Sequence, residues 1–490
     1  MVCGTTSDAG KSALVTGLCR LLARRGVAVA PFKAQNMALN SYVTPDGREI
    51  GRAQGVQALA AGIEPDVRMN PILLKPGSDR TSQVIVRGRP IGTMSAVEYH
   101  DHKPALLATV LEDLASLRRD FDVVILEGAG SPTEINLLDH DIVNLRIAHE
   151  ADLPAIVVGD IDRGGVFASL YGTVALLPDH LRARVRGFVI NKFRGDPALL
   201  GDGSAELERR CGVPTLGVLP MVPDLALDAE DSLALDGQRV DVGHVADAGK
   251  ADHRDVDALA VEPGVGVRLV TSPAQLGAPD LVVVPGSKAT VADLDWLRST
   301  GLADALASTS ALVLGICGGY QMLGRSIVDD VESGSGPMAV PGLGLLDVTT
   351  EFAPTKTTLR RTGLAMGQRV DGYEIHHGVV VRGPAAAGWV HLDATGAGSA
   401  GGAGAPAEDE GAVDLDEARV LGTTVHGIFE RDDFRATFLC EVGRRAGKAF
   451  VPAGVSFAAA RGAQMDRLAD LVETHLDVDA VLALIESARR

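Results

Sequence analysis

Four short uncharged runs punctuate the first half of the chain: Val27 to Ala30, Val123 to Leu126, Ala155 to Val158 and Gly187 to Ile190. Their length and unbroken apolar character predict parallel strands buried on both faces. Before and between them, Ala13 to Arg24 and Pro104 to Leu117 carry apolar residues at helical spacing. That alternation predicts an α/β fold with a doubly wound or related sheet and chemistry at the carboxyl ends of its strands. A second set begins later, at Val267 to Val270, Leu281 to Val284 and Ala311 to Ile316. The stretch between the sets, residues 236–257, is polar, charged and poor in large hydrophobes, and is expected to be a linker. The expected organisation is therefore a first domain over 1–235, a second over 258–447 and a helical tail over 448–490. A Gly/Ala-rich, then acidic stretch over 394–411 is expected to be a flexible surface loop inside the second domain. No internal repeat is visible.

Composition narrows the possibilities. At roughly 150 residues per domain, 490 residues suit two or three domains, and 46% apolar residues exclude wholesale disorder. Forty-six basic against 64 acidic residues leave a net charge of −18. Such a chain lacks the basic footprint of sequence-independent nucleic-acid binding, so anionic ligands must be held by local cations or backbone amides. The five cysteines are odd in number, scattered and without a CxxC pair, which suggests neither a disulfide framework nor structural zinc. No signal-peptide profile opens the chain. The longest suspicious uncharged run, residues 164–178, is shorter than the roughly 18–20 residues of a membrane span. A cytoplasmic protein without membrane or nucleic-acid partners is expected.

Gly4-Thr5-Thr6-Ser7-Asp8-Ala9-Gly10-Lys11-Ser12 runs straight into an apolar-periodic helix. Small residues let successive backbone N–H groups wrap a phosphate, and the helix start adds its positive end. Lys11 is placed to neutralise terminal phosphate charge and the Ser12 hydroxyl to meet Mg²⁺. The spacing between the glycines is one residue longer than in the usual Walker loop, and only Met1, Val2 and Cys3 precede it, fewer than a delivering strand ordinarily has. Glu127, at the end of the Val123 to Leu126 run, is a candidate metal carboxylate. Asp160 and Asp162 in GDIDRGGVF are weaker ones, since Arg163 offers them a salt bridge.

Gly315-Ile316-Cys317-Gly318-Gly319 has the G-x-nucleophile-x-G form between a strand and a helix. A helix start lowers a thiol pKa, so Cys317 is the candidate nucleophile, whereas Cys19, Cys211 and Cys440 read as structural. His426, in VHGIF after a strand-like run, is the candidate base. Backbone N–H groups at Gly286 and Gly318 are the candidate oxyanion hole.

These blocks together resemble the cobyric acid synthase family of glutamine-dependent amidotransferases. GICGGYQMLG, PGSKAT and VHGIF are similar to class I glutaminase domains of flavodoxin-like fold, and GTTSDAGKS with EGAG resembles the dethiobiotin synthetase-like phosphate-loop fold. PFKAQNMALNSYV, EIGRAQGVQA, MNPILLKP, EGAGSPTEINL, DIDRGGVFASL and VINKFRGD carry the family resemblance over nearly the whole chain. It implies ATP and Mg²⁺, with glutamine and adenosylcobyrinic acid a,c-diamide as substrates and amidation of the b, d, e and g carboxylates through acyl phosphates. It also implies a glutamine-binding role for Glu374 in GYEIHH, against which stands a strand-end salt bridge. Many class I glutaminases place Glu two residues after the base; here Ile428 stands there and Glu430 lies four on, so a Cys317–His426 dyad is expected. Where relatives carry an apolar first glutaminase strand, this chain has VDVGHVAD.

The nearest rival is a cobyrinic acid a,c-diamide synthase, disfavoured by the QNMALNS and EIGRAQ blocks. A partitioning-type ATPase switch carries a second lysine where Thr6 stands, and leaves a glutaminase domain unexplained. The oligomeric state is not legible in the sequence.

Overall fold

The uncharged runs of the first half form one edge-to-edge series of parallel strands. The computed structural model describes residues 1–76, 81–222, 240–246, 254–332, 338–395 and 405–488. Two units emerge, one of Met1–Thr44, Arg48–Leu225 and Gly462–Arg490, the other of Pro45–Gly47 and Ala226–Arg461.

In the first unit β1 (Val2–Gly4) leads into α1 (Lys11–Arg24), followed by β2 (Val29–Phe32), α2 (Arg52–Ala60), β3 (Val123–Leu126), β4 (Ala155–Asp160), β5 (Val185–Phe193) and β6 (Thr215–Pro220). Strands β1, β4, β5 and β6 pair in that order, all parallel. The parallel pair β2–β3 joins them through the bridge Val2↔Glu127. The spatial order β2–β3–β1–β4–β5–β6 makes the chain leave β1 toward one side and return on the other. The carboxyl ends of β1 and β3 therefore meet at a switch point, where such sheets bind ligands. The helix expected around Pro104 to Leu117 runs longer, over Ala96–Asp120. It is opened by a reciprocal cap in which Glu98 N donates to Ser95 Oγ and Ser95 N to the Glu98 carboxylate.

The second unit begins inside the segment expected to be a linker. β7 (Val240–Val245) is a central strand, paired in parallel with β8 (Val265–Val270) on one side and β9 (Leu281–Val284) on the other; α3 (Arg254–Ala260) lies between β7 and β8 in sequence. The boundaries 236–257 are thus corrected: Val240, Val242 and Val245 are buried, while Asp241 is satisfied at the strand's start by Arg268 at 3.0 Å. Residues 223–239 and 247–253 lie outside the described residues. The sheet continues through β10 (Leu312–Ile316), which leads into α4 (Gly318–Leu323). A long antiparallel hairpin, β11 (Val348–Ala365) and β12 (Gln368–Arg382), precedes β13 (Val420–Thr423), which pairs in parallel with β10. The stretch expected to be a loop over 394–411 ends instead in a strand: Glu408–Glu410 pairs with Val390–Leu392, and Glu410 is buried. Residues 396–404 lie outside the described residues.

The tail over 448–490 is divided rather than separate. From Gly462 onward, α5 (Phe457–His475) and α6 (Val478–Ser487) belong to the first unit. A Cβ on Gly17 of α1 would stand 2.8 Å from Val472 Cγ2, so helix meets helix at backbone distance. Asp477 N donates to Leu216 O at 2.6 Å, and Leu476 bridges to Gly217. The pairs Arg20–Asp466, Arg24–Asp470 and Arg25–Glu473 are partly exposed and contribute little; buried Ala469, Val472, Leu476 and Val481 supply the attachment. Among the described residues no helix is long and apolar enough to cross a membrane.

Leu476→Ala should lower the unfolding free energy of the first unit by about 2–4 kcal/mol, the cost of a buried cavity. Urea unfolding followed by circular dichroism measures it, and an unchanged midpoint would contradict this attachment.

Candidate active site

β10 is buried throughout and delivers Cys317 at its end. Cys317 has φ 50° and ψ −107°, a left-handed conformation that an L side chain adopts under strain. The turn demands small neighbours: a Cβ on Gly319 would collide with Val284 O of the adjoining strand β9, and one on Gly315 would lie 2.7 Å from Tyr320 Cα. Cys317 N donates to Thr423 O at 2.8 Å, which ties the elbow to the end of β13 and hence to His426 three residues on. The His426 backbone pairs with Tyr373 in both directions, at 2.9 and 3.1 Å, and the two rings stack 5.3 Å apart. Gly286, after β9, completes the surround. A Cβ there would stand 2.6 Å from His426 Cε1, and one on Gly318 would stand 2.8 Å from Ser287 N. The structure therefore brings Cys317, His426, Gly286 and Gly318 together.

It also brings a residue that the sequence reading did not name. Asp255, near the start of α3 and buried, faces His426 Nδ1 through Oδ2 at 2.9 Å, and its Oδ1 accepts Gly427 N at 2.8 Å. Burial alone would push the His426 imidazole down and the Cys317 thiol up. The opposite holds for both: the charges of Asp255 and Cys317 lift His426 to about 10, and the His426 charge and hydrogen bond hold the Cys317 thiol below its ordinary value. The site is a buried carboxylate–imidazolium–thiolate series.

In the first unit the phosphate loop joins β1 to α1. Gly10 has φ 98°, and a Cβ there would run into the Asn191 side chain, whose Nδ2 donates to Ala9 O at 2.9 Å. Lys11 Nζ donates to Thr6 O at 2.8 Å and to Gly130 O at 3.3 Å, curling over the loop Gly4 to Gly10. Burial lowers its pKa. Glu127, at the end of β3, is wholly buried and accepts from Ser12 Oγ at 2.8 Å, Lys33 Nζ at 2.7 Å and Gln57 Nε2 of α2 at 2.5 Å. Asp160 is paired with Lys192 at 2.8 Å and Asp162 with Arg194 at 2.7 Å.

Comparison with known proteins covers both units. Residues 1–234 match the CobQ/CobB/MinD/ParA nucleotide binding domain, and residues 241–434 the CobB/CobQ-like glutamine amidotransferase domain. A cobyric acid synthase of Rhodococcus jostii (strain RHA1) is 54% identical over 99% of this chain and 95% of its own length. One of Saccharopolyspora erythraea is 55% identical over 99% and 94%. The chain belongs to the cobyric acid synthase family. A solved glutamine amidotransferase aligns over 41% of this chain and 98% of its own at 18% identity and a TM-score of 0.31.

As a member of the cobyric acid synthase family the chain is a glutamine amidotransferase of the ligase class, with a nucleotide-binding domain ahead of the glutaminase. The expected dyad is corrected, because Asp255 supplies the carboxylate from an earlier strand connection. Glu430 does not: it pairs with Arg461 at 3.2 Å and is partly exposed. The signal for Asp255 was faint, an acidic residue opening the short helix RDVDALA within an otherwise polar segment. Glu374 is buried, with Thr424 Oγ1 at 2.7 Å, Arg361 Nε at 3.4 Å and His376 Nε2 at 3.5 Å. That is an enclosed ion-pair arrangement, unlike an open receptor for a substrate ammonium.

Asp255→Asn should cut glutamate release by about 10²–10⁴-fold, because the amide holds the wrong imidazole tautomer and leaves the imidazolium uncompensated. Glu430→Gln should change it less than about twofold, as expected of an exposed pair; equal losses in the two variants would remove Asp255 from the site.

A thiol held low predicts that iodoacetamide alkylation of Cys317 stays fast to a lower pH than alkylation of an ordinary thiol. That rate should fall only on the acid side of the lowered pKa, where the thiolate gains its proton. In His426→Ala burial is opposed only by the His376 charge, and the midpoint should move upward. Peptide mass mapping across a pH series reads it, and identical profiles would contradict the ion pair.

Proposed function

We propose that this chain converts adenosylcobyrinic acid a,c-diamide to adenosylcobyric acid, amidating the b, d, e and g carboxylates with one glutamine and one ATP for each. The observation that carries this reading is the presence, in one chain of this family, of a buried thiolate site and a phosphate loop that share no residue. Cys317 attacks the glutamine carboxamide carbon, forming a C–S bond. Backbone N–H groups at Gly286 and Gly318 hold the oxyanion, and the His426 imidazolium gives its proton to the departing ammonia. Water then releases glutamate from the thioester. In the first unit, the Gly4 to Ser12 loop holds ATP and Lys11 stabilises the transferring phosphoryl group. A corrin carboxylate takes that group as an acyl phosphate, and ammonia displaces the phosphate to leave the amide.

The oxygens beside the loop suit Mg²⁺. Ser12 Oγ and Glu127 Oε1, hydrogen-bonded to each other at 2.8 Å, are a hydroxyl and a carboxylate oxygen of the hard kind that Mg²⁺ takes. Bound there, Mg²⁺ would neutralise phosphate charge; Lys33 and Gln57 keep Glu127 aimed at that position.

Mass spectrometry of the corrin after incubation with ATP and glutamine tests the reaction, with four successive carboxylate-to-amide changes expected. Cys317→Ser should abolish the glutamine-fed reaction and spare the ammonium-fed one. Lys11→Ala should abolish both, because no nitrogen source replaces phosphoryl transfer. A folded Cys317→Ser chain inactive with ammonium, or a Lys11→Ala chain active with it, would refute this division.

A further inference from the structure

The first unit holds a cavity of about 190 Å³ beside the phosphate loop. Its walls are Gln35 after β2, the segment from Ala129 to Asn144 after β3, and Lys103 of the helix Ala96–Asp120. One wall residue, Gly130, accepts the Lys11 Nζ hydrogen bond through its carbonyl. The cavity therefore adjoins the end of the loop where the terminal phosphate is neutralised.

Lys103 is the one cation on this lining. Among the described residues it makes no hydrogen bond and no ion pair within 4 Å. Burial holds its ammonium below the ordinary lysine value, while Asp141 pulls it the other way. Asp141 itself is occupied, accepting from Val143 N at 2.8 Å and Asn144 N at 3.1 Å, and Glu134 is exposed. A half-buried ammonium with no carboxylate in contact opposes folding, and an arriving anion would offset that cost. The flanks are of another character. Met37, on the strand of Gln35, and Ile135 and Leu137, on the turn Ile135–His140, are exposed by 61%, 61% and 44%.

We propose that this cavity receives the carboxylate arm that is to be phosphorylated, paired with Lys103, while the exposed apolar flank meets the ring that bears the arm. A space of this size takes an acetate or propionate arm and excludes a macrocycle, so each arm would enter separately. In the step it serves, an arm oxygen bonds to the terminal phosphorus, the bond to the bridging oxygen breaks, and ADP leaves with the electron pair. Ammonia then bonds to the acyl carbon, the bond from that carbon to the phosphate oxygen breaks, and the departing phosphate takes up the proton that ammonia loses. Lys103 binds and orients the acceptor.

The inference rests on the proposed amidation, and its test separates the two. Isothermal titration compares cobyrinic acid a,c-diamide with cobyric acid, which has the same ring but amides on the four arms. Lys103→Gln should weaken the diamide about tenfold or more, the size of a charge-assisted hydrogen bond, while cobyric acid and ATP shift less than about twofold. The KM for the diamide should rise more than kcat falls, and Lys103→Arg should recover much of the loss. If the wild-type chain amidates the diamide but Lys103→Gln binds it normally, the arm cavity is wrong and the amidation stands. Equal weakening of both corrins, or of ATP, would also overturn it, showing that Lys103 supports the surrounding structure instead. A wild-type chain that amidates nothing refutes the proposed function itself.

Discussion

A buried thiolate is tenable only beside a buried cation, and that cation only beside a buried carboxylate. Asp255, His426 and Cys317 satisfy this condition in series, each offsetting the desolvation of the next. They come from three separate strand connections, after β7, β10 and β13, and Gly286 comes from the connection after β9. The order β7–β9–β10–β13 places those four carboxyl ends side by side. Sheet order is thus an electrostatic requirement as much as a packing solution. A rearranged sheet would strand at least one of the charges without a partner.

The first unit meets the same problem with different chemistry. Glu127 has no exposed side-chain surface, so its charge depends on Lys33 from the end of β2, Ser12 from α1 and Gln57 from α2. With Lys33 committed to Glu127, Lys11 bonds only carbonyl oxygens among the described residues, at Thr6 and Gly130. Carbonyls orient an ammonium without cancelling its charge. The Lys11 ammonium therefore remains a net cation at the end of β1, and the adjacency of β3 and β1 at the switch point makes that division possible.

What was legible in the sequence follows from how local each constraint is. Gly315, Cys317 and Gly319 are read together because one tight turn imposes all three. The run from Gly4 to Ser12 is legible for the same reason. Asp255 was hidden because its constraint is tertiary: it meets His426 across 171 positions. The strand that precedes it, VDVGHV, is an interior strand, paired on both sides, with Gly243 and His244 where apolar residues ordinarily stand. Glu408–Glu410 was hidden likewise, since three acidic letters carry no strand signal and only pairing with Val390–Leu392 makes them one.

On the strands behind the thiolate site, one hydroxyl is shared by two buried carboxyls. Thr424 Oγ1 lies 2.7 Å from Glu374 Oε1 and 2.8 Å from Glu410 Oε1, yet it has a single proton to donate. Burial raises Glu410, and the hydrogen bonds it accepts from Thr423 and from Thr424 N do not reverse that. Burial would raise Glu374 as well, but the His376 hydrogen bond and the charges of His376 and Arg361 bring it below the ordinary value. The Thr424 hydroxyl proton can serve one carboxylate at a time, and Glu374 is the one that His376 and Arg361 draw below its ordinary value. That anion faces Arg361 and His376 and draws His376 upward in pKa despite burial, on the same side as the Cys317 charge. Glu374 thus acts on the thiolate site through His376, whose charge helps to hold the Cys317 thiol low.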